Sequence, residues 1–260
     1  MPLTFPSHAA AVVPLKIWRP RWFDGVALVV GSAVPDLPFA FEPWVTVRAH
    51  LWWSLVWFCV PATVLGSLVL RRAAPVVAAH LPGWGRHYGV LGRVRHRWWV
   101  TASSAYVGAL SHRLWDMVTH RSLDQGRVRF EWLSLAGPFG VPVHTYAHLG
   151  STAVGGIAVA WCAVLIGRRS LLLRWHGPLR PTDLWPGPGA ARTGVFWGVA
   201  CAVTGLLAIV SVLLPGWPSL AVVGVRWILS AVLGALAGVV AVRVAGSRRL
   251  DRQPQDHPAG

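Results

Sequence analysis

The chain has 260 residues, of which 54% are hydrophobic and only 13% charged, and seventeen are tryptophan. A soluble domain of this length carries about 25% charged residues, so an ordinary water-soluble globule is excluded. The formal net charge of +15 invites a phosphate-backbone reading, but the basic residues sit between and after the apolar runs, as orientation signals do, and no nucleic-acid partner is expected.

Residues 3–15 are apolar but too short to span, at about 20 Å as a helix. They either dip into the outer half of the membrane or lie along the cytoplasmic interface as an amphipathic segment. The N-terminus has no basic start and no small-residue cleavage site, so retention of the first helix is expected. Six spans follow, at about 22–41, 50–70, 98–118, 144–167, 193–214 and 219–242, each near the ~20 residues that cross a hydrocarbon core. Leu51 to Leu70 and Thr193 to Leu214 contain no charge at all. The expected class is all-α, a polytopic transmembrane helix bundle with a short N-terminal membrane-associated helix. Residues 1–248 form its single domain, and 249–260 a disordered tail.

Arginines orient the spans. Residues 71–97 hold six arginines and no acid, and residues 168–192 hold five against Asp183. The tail adds Arg243, Arg248, Arg249 and Arg252, and Lys16, Arg19 and Arg21 precede the first span. The positive-inside rule puts these segments in the cytoplasm, with the C-terminus, of a multi-pass cell-membrane protein. Trp52, Trp53, Trp57, Trp98, Trp99 and Trp132 suit interfacial belts. Cys59, Cys162 and Cys201 stand singly in apolar runs and are expected to be small buried hydrophobes. Gly194 with Gly198, and Gly234 with Gly238, have the spacing of close helix packing in the last two spans.

Ionisable groups in a membrane are costly and ask for partners or a function. On this topology Asp36, His50, His112, Asp116, His120, His144 and His148 share one depth, toward the outer face, on four spans. His8 joins them only if the N-terminal segment dips inward from outside. His112, Asp116 and His120 at i, i+4 and i+8 make one polar stripe, and His144 with His148 repeats the i, i+4 relation. Imidazole and carboxylate converging from several helices suit zinc or another divalent transition metal. The bland alternative for any one of these histidines is a hydrogen bond between helices, or solvation near a span end. Arg113 is a candidate contact for a substrate anion, and snorkelling to the headgroups is the plainer role for Arg121. His80, His87, His96, His176 and His257 are expected at the surface. HExxH, GxGxxG, Walker A and GxSxG motifs are absent, which removes zincin, Rossmann, P-loop and lipase readings.

The segments PLTFPSHAAAVVPL, GSAVPDLPF, GALSHRLWDMVTH and HTYAHLGSTAVG resemble a bacterial membrane family, domain of unknown function 4184, up to about Gly167. That family is similar in turn to the membrane-bound metal-dependent hydrolases of domain of unknown function 457, and more distantly to trinuclear-zinc phospholipases C and nucleases. The resemblance implies phosphoester hydrolysis, with Asp36, His50, His112 and Asp116 as metal ligands and His8, His144 and His148 as further candidates. The sequence departs from the pattern in lacking a His-x3-Glu pair, and HTYAH stands where a second acidic ligand would be. The expectation is a membrane-embedded hydrolase with zinc, using Asp36, His112 and Asp116 in catalysis on a lipid or lipid-linked phosphoester. A transporter using the same residues, a non-catalytic scaffold and, less favoured, haem ligation by paired histidines are the rival readings.

Overall fold

The structure, a computed structural model, describes residues 7–119, 130–185, 190–215 and 220–250. Among these residues it is all-α, with an isolated bridge between Ala136 and Pro142 as its only β contact. His120, Arg121, His257 and the tail from 251 onward lie outside the described residues.

A 3-10 turn, Ser7–Ala11, leads into α1, Val13–Trp18. The short helix α2, Gly25–Gly31, starts at Asp24, whose carboxylate accepts from the Val26 and Ala27 amides. It does not continue as the expected 22–41 span. Pro35 and Pro38 have no N–H to donate, and the chain tightens into a 3-10 segment, Val34–Phe41. The next span begins later than expected and ends later. A π turn, Leu55–Cys59, opens it, where Pro61 leaves the carbonyl four residues back without its usual donor. The α-helix α3, Val60–Ala79, then runs through Arg71 and Arg72, past the expected end of the span at residue 70.

Helix α4, Trp98–Thr119, is followed by α5, Val143–Arg168, α6, Leu171–His176, and the hairpin of α7, Ala190–Leu213, and α8, Leu220–Leu250. Among the described residues four helices are long and apolar enough to cross a membrane: Leu55–Ala79, Val143–Arg168, Arg192–Leu213 and Val222–Gly246. These mark a membrane protein, although the first and third of the six expected spans are not among them.

Glycines set the closest helix approaches. A Cβ on Gly31 would meet the Ala105 carbonyl, and one on Gly108 the Leu28 carbonyl, so α2 and α4 cross backbone to backbone. Gly234 and Gly238 of α8 lie against Thr204 and Phe196 of α7 as close packing requires, whereas among the described residues nothing comes within 4 Å of a Cβ built on Gly194 or Gly198. Val34, Ala49, Leu55, Cys59 and Ala109 form one core cluster, and Ala73, Val76, Phe196, Val239 and Val242 tie α3 to the hairpin in another.

Cys59 is buried as expected, but Cys162 is only partly buried and Cys201 is exposed on α7. His80 is not a surface residue. It is buried, stacks on Phe196 and lies 3.2 Å from the Thr193 hydroxyl. The six belt tryptophans are all at least half exposed, with Trp98 and Trp99 at the opposite end of α4 from His112.

Candidate metal centre

Three segments bring four of the singled-out residues together. Asp36 comes from the 3-10 turn after α2, His50 from the turn before the π segment, and His112 and Asp116 from successive turns of α4. The i, i+4 spacing puts the last two on one helix face. One ligand atom from each of the four lies within 4.8 Å of all the others. The His50 and His112 Nε2 atoms are 3.2 Å apart. His50 Nε2 is 3.2 Å from Asp36 Oδ1 and 3.4 Å from Asp116 Oδ2. His112 Nε2 is 3.3 Å and 3.1 Å from the same two atoms.

The tautomer of His112 follows from its other nitrogen. Nδ1 lies 2.8 Å from the Ser32 carbonyl oxygen, which can only accept, so Nδ1 carries the proton. In the neutral ring Nε2 then presents a lone pair to the cluster. The close approach of α2 and α4 through Gly31 and Gly108 is what puts Ser32 within reach of His112.

A lone pair facing two carboxylate oxygens and a second imidazole nitrogen is repulsive unless something positive lies among them. A proton on one ring or a divalent cation meets that need. Ligands at about 2.0–2.2 Å in a tetrahedral site stand about 3.3–3.6 Å from one another. The four imidazole-to-carboxylate distances, 3.1–3.4 Å, are close to that. The donor set, two imidazoles and two carboxylates, is one that divalent transition metals accept.

His8 joins the group from the side. Its ring packs on that of His112 at 4.0 Å between centroids, and its Nε2 is 3.6 Å from Asp116 Oδ1. The N-terminal segment therefore carries His8 to the cluster. Gly155 of α5 makes this possible, since a Cβ there would overlap Ser7. The site is deep on one side, where the His8 and His112 side chains are fully buried. Asp36, His50 and Asp116 keep about a tenth of their side-chain surface accessible, which leaves an approach from outside.

Histidines 144 and 148 do not belong to the group of four. His144 Nδ1 is 3.1 Å from the Leu133 carbonyl, and His148 is buried on α5. Arg113 forms no ion pair with Asp36 or Asp116, and its guanidinium lies over the Trp52 ring, 5.5 Å from the centroid.

One contributor escaped the sequence reading. Arg226, buried in α8, donates to the carbonyls of Ala40, Ser211 and Glu42, and so ties the segment that carries Asp36 to the hairpin. Its signal was an arginine inside an otherwise apolar span.

The family model described as a domain of unknown function (DUF4184) matches residues 1–246, which extends the likeness beyond Gly167 and across the hairpin. No curated protein and no solved structure matches the chain.

Proposed function

The chain belongs to the DUF4184 family, and we propose that it is a membrane-embedded, metal-dependent hydrolase of a phosphoester in a lipid or lipid-linked substrate. The observation that carries this reading is the convergence of Asp36, His50, His112 and Asp116, with ligand atoms within 4.8 Å of one another. The ion of choice is zinc, because two imidazoles and two carboxylates suit it, and its identity rests on that donor chemistry alone.

A divalent cation held at the cluster would supply Lewis acidity and lower the pKa of a bound water toward ~7. The protein supplies the rest. The Ser32 carbonyl holds His112 in the tautomer whose Nε2 can bind a cation. His50 and the two carboxylates complete the donor set, and His8 backs His112. Asp116, which also faces His8, is placed to take a proton from the attacking water. Arg113, one position from His112 and without an ion pair to any described residue, is assigned to the substrate phosphate. The arginine-rich end of the bundle is assigned to the cytoplasm with the C-terminus, which puts the cluster near the outer leaflet.

The test is phosphate or headgroup release from phosphoester lipids by the full chain in vesicles. Turnover that a chelator abolishes, that zinc restores, and that Asp116→Asn lowers by about 100-fold or more supports the proposal. Turnover unchanged in Asp116→Ala and His112→Ala refutes it. Metal uptake into the vesicles with no ester turnover assigns the cluster to transport instead.

A further inference from the structure

Beside the Trp98 end of α4 lies a second, chemically different site. Trp98 and His112 are fourteen residues apart, about 21 Å along the helix, so this region is well separated from the His/Asp cluster. Two cavities meet there. One, of about 540 Å³, is bordered by Arg21, Arg93, Arg95, Arg174, His96 and His176, with no acidic residue in its wall. The other, of about 270 Å³, is walled chiefly by Val13, Val26, Val29, Leu91, Ile166 and Leu172. Val94, His96, Trp175 and His176 border both, so a polar basic chamber opens beside an apolar one.

Several of the cations nearby are already committed. Arg93 donates to both Asp183 carboxylate oxygens and to the carbonyls of His176, Gly177 and Pro178. Lys16 donates to the Pro20 and Phe23 carbonyls, and Arg71 is paired with Asp24. Arg21, Arg95 and Arg174 are exposed and make no hydrogen bond or ion pair with described residues. Three guanidiniums around one cavity without a counter-charge leave a positive field. Burial, and after it the charges of Lys16, His96, Arg93 and Arg71, push His176 down to about 4.

We propose that the two cavities form one site for an anionic phospholipid. Arg21, Arg95 and Arg174 hold its phosphate, and the headgroup-proximal part of one acyl chain lies in the apolar chamber. Guanidinium forks match phosphate oxygens, and basic pockets between membrane helices take lipid headgroups in this way. A soluble phosphate would leave the apolar chamber without a purpose. The setting also fits a lipid, since the apolar cavity borders two candidate spans, at Arg71 within Leu55–Ala79 and at Ile166 near the end of Val143–Arg168. The exposed Trp98 and Trp99 mark the same end of α4 as an interfacial level.

The experiment is native mass spectrometry of the full chain in non-ionic detergent, titrated with phosphatidylglycerol or phosphatidylcholine. One phosphatidylglycerol is expected to be retained with about tenfold or greater preference, and the variant R21A/R95A/R174A should lose that preference. A control of equal charge change at exposed arginines outside the cavities, R72A/R86A/R168A, should keep it. If the triple variant does not fold, Arg95→Glu alone is expected to lose the preference. Equal retention of the two lipids overturns the proposal, as does an equal loss in the control variant. Displacement of the lipid by glycerol 3-phosphate at matched concentration also overturns it, because the site would then serve a soluble phosphate.

Discussion

The ion pair of Asp24 and Arg71 holds α2, α3 and the start of α4 together, and breaking one side of it should be costly. Their side chains are 1% and 6% exposed. One Arg71 nitrogen reaches both Asp24 oxygens, and the other donates to the Val94 carbonyl at 2.7 Å. Asp24 also accepts from the Thr101 hydroxyl at 2.8 Å and from the amides of Val26 and Ala27. Arg71→Met leaves a buried carboxylate without its nearest cation, at about 3–5 kcal/mol. For a chain of this size that lowers Tm by on the order of 10 °C. Asp24→Asn in the same chain removes the stranded charge, so the double variant should recover about 2 kcal/mol relative to the sum of the singles. Tryptophan fluorescence during thermal unfolding in detergent reads all four proteins. Single-variant costs that simply add in the double, within about 0.5 kcal/mol, would refute the coupling.

Three further outcomes follow from the packing around the two sites. Gly108→Val pushes α4 from the Leu28 carbonyl and takes His112 from Ser32; metal affinity should fall about 10–100-fold, measured by competition with a chromogenic chelator. Arg226→Met strands three carbonyls and should cost about 2–4 kcal/mol in thermal unfolding, with Arg226→Lys restoring only part of it. His176, pushed down to about 4 from an ordinary 6.5, binds fewer protons in the folded than in the unfolded chain between those values. Its contribution to stability is therefore intact above pH 6.5 and declines as pH falls toward 4. His176→Gln should shrink the acid-side loss by about 1–2 kcal/mol, allowing for its partial exposure, and an unchanged pH profile counts against the assignment.

The membrane class was legible because uncharged runs such as Leu51 to Leu70 are longer than any core helix needs. The cluster was legible in the same way, since Asp36, His50, His112 and Asp116 were too polar for their surroundings. The places where the sequence misled have identifiable physical causes. Pro35 and Pro38 were visible, yet the apolar residues around them read as a continuous span, and the missing N–H groups decided otherwise. Arg71 looked like the start of a loop because its partner, Asp24, is 47 residues away. That His8 reaches the cluster rests on the contact of Gly155 with Ser7, which no local pattern announces. His144 has the same residue type and spacing as the cluster histidines. Only the position of the Leu133 carbonyl distinguishes it.

Metal content of the full chain tests the central claim most directly. The protein is purified without chelators or metal-affinity resin and assayed by inductively coupled plasma mass spectrometry. About one divalent transition-metal ion per chain is predicted for the native sequence. Asp36→Asn, His50→Gln, His112→Gln and Asp116→Asn should each lower it sharply, while His144→Gln leaves it unchanged. A folded native protein that stays metal-free after incubation with zinc, or variants that keep a full complement of metal, would contradict the account.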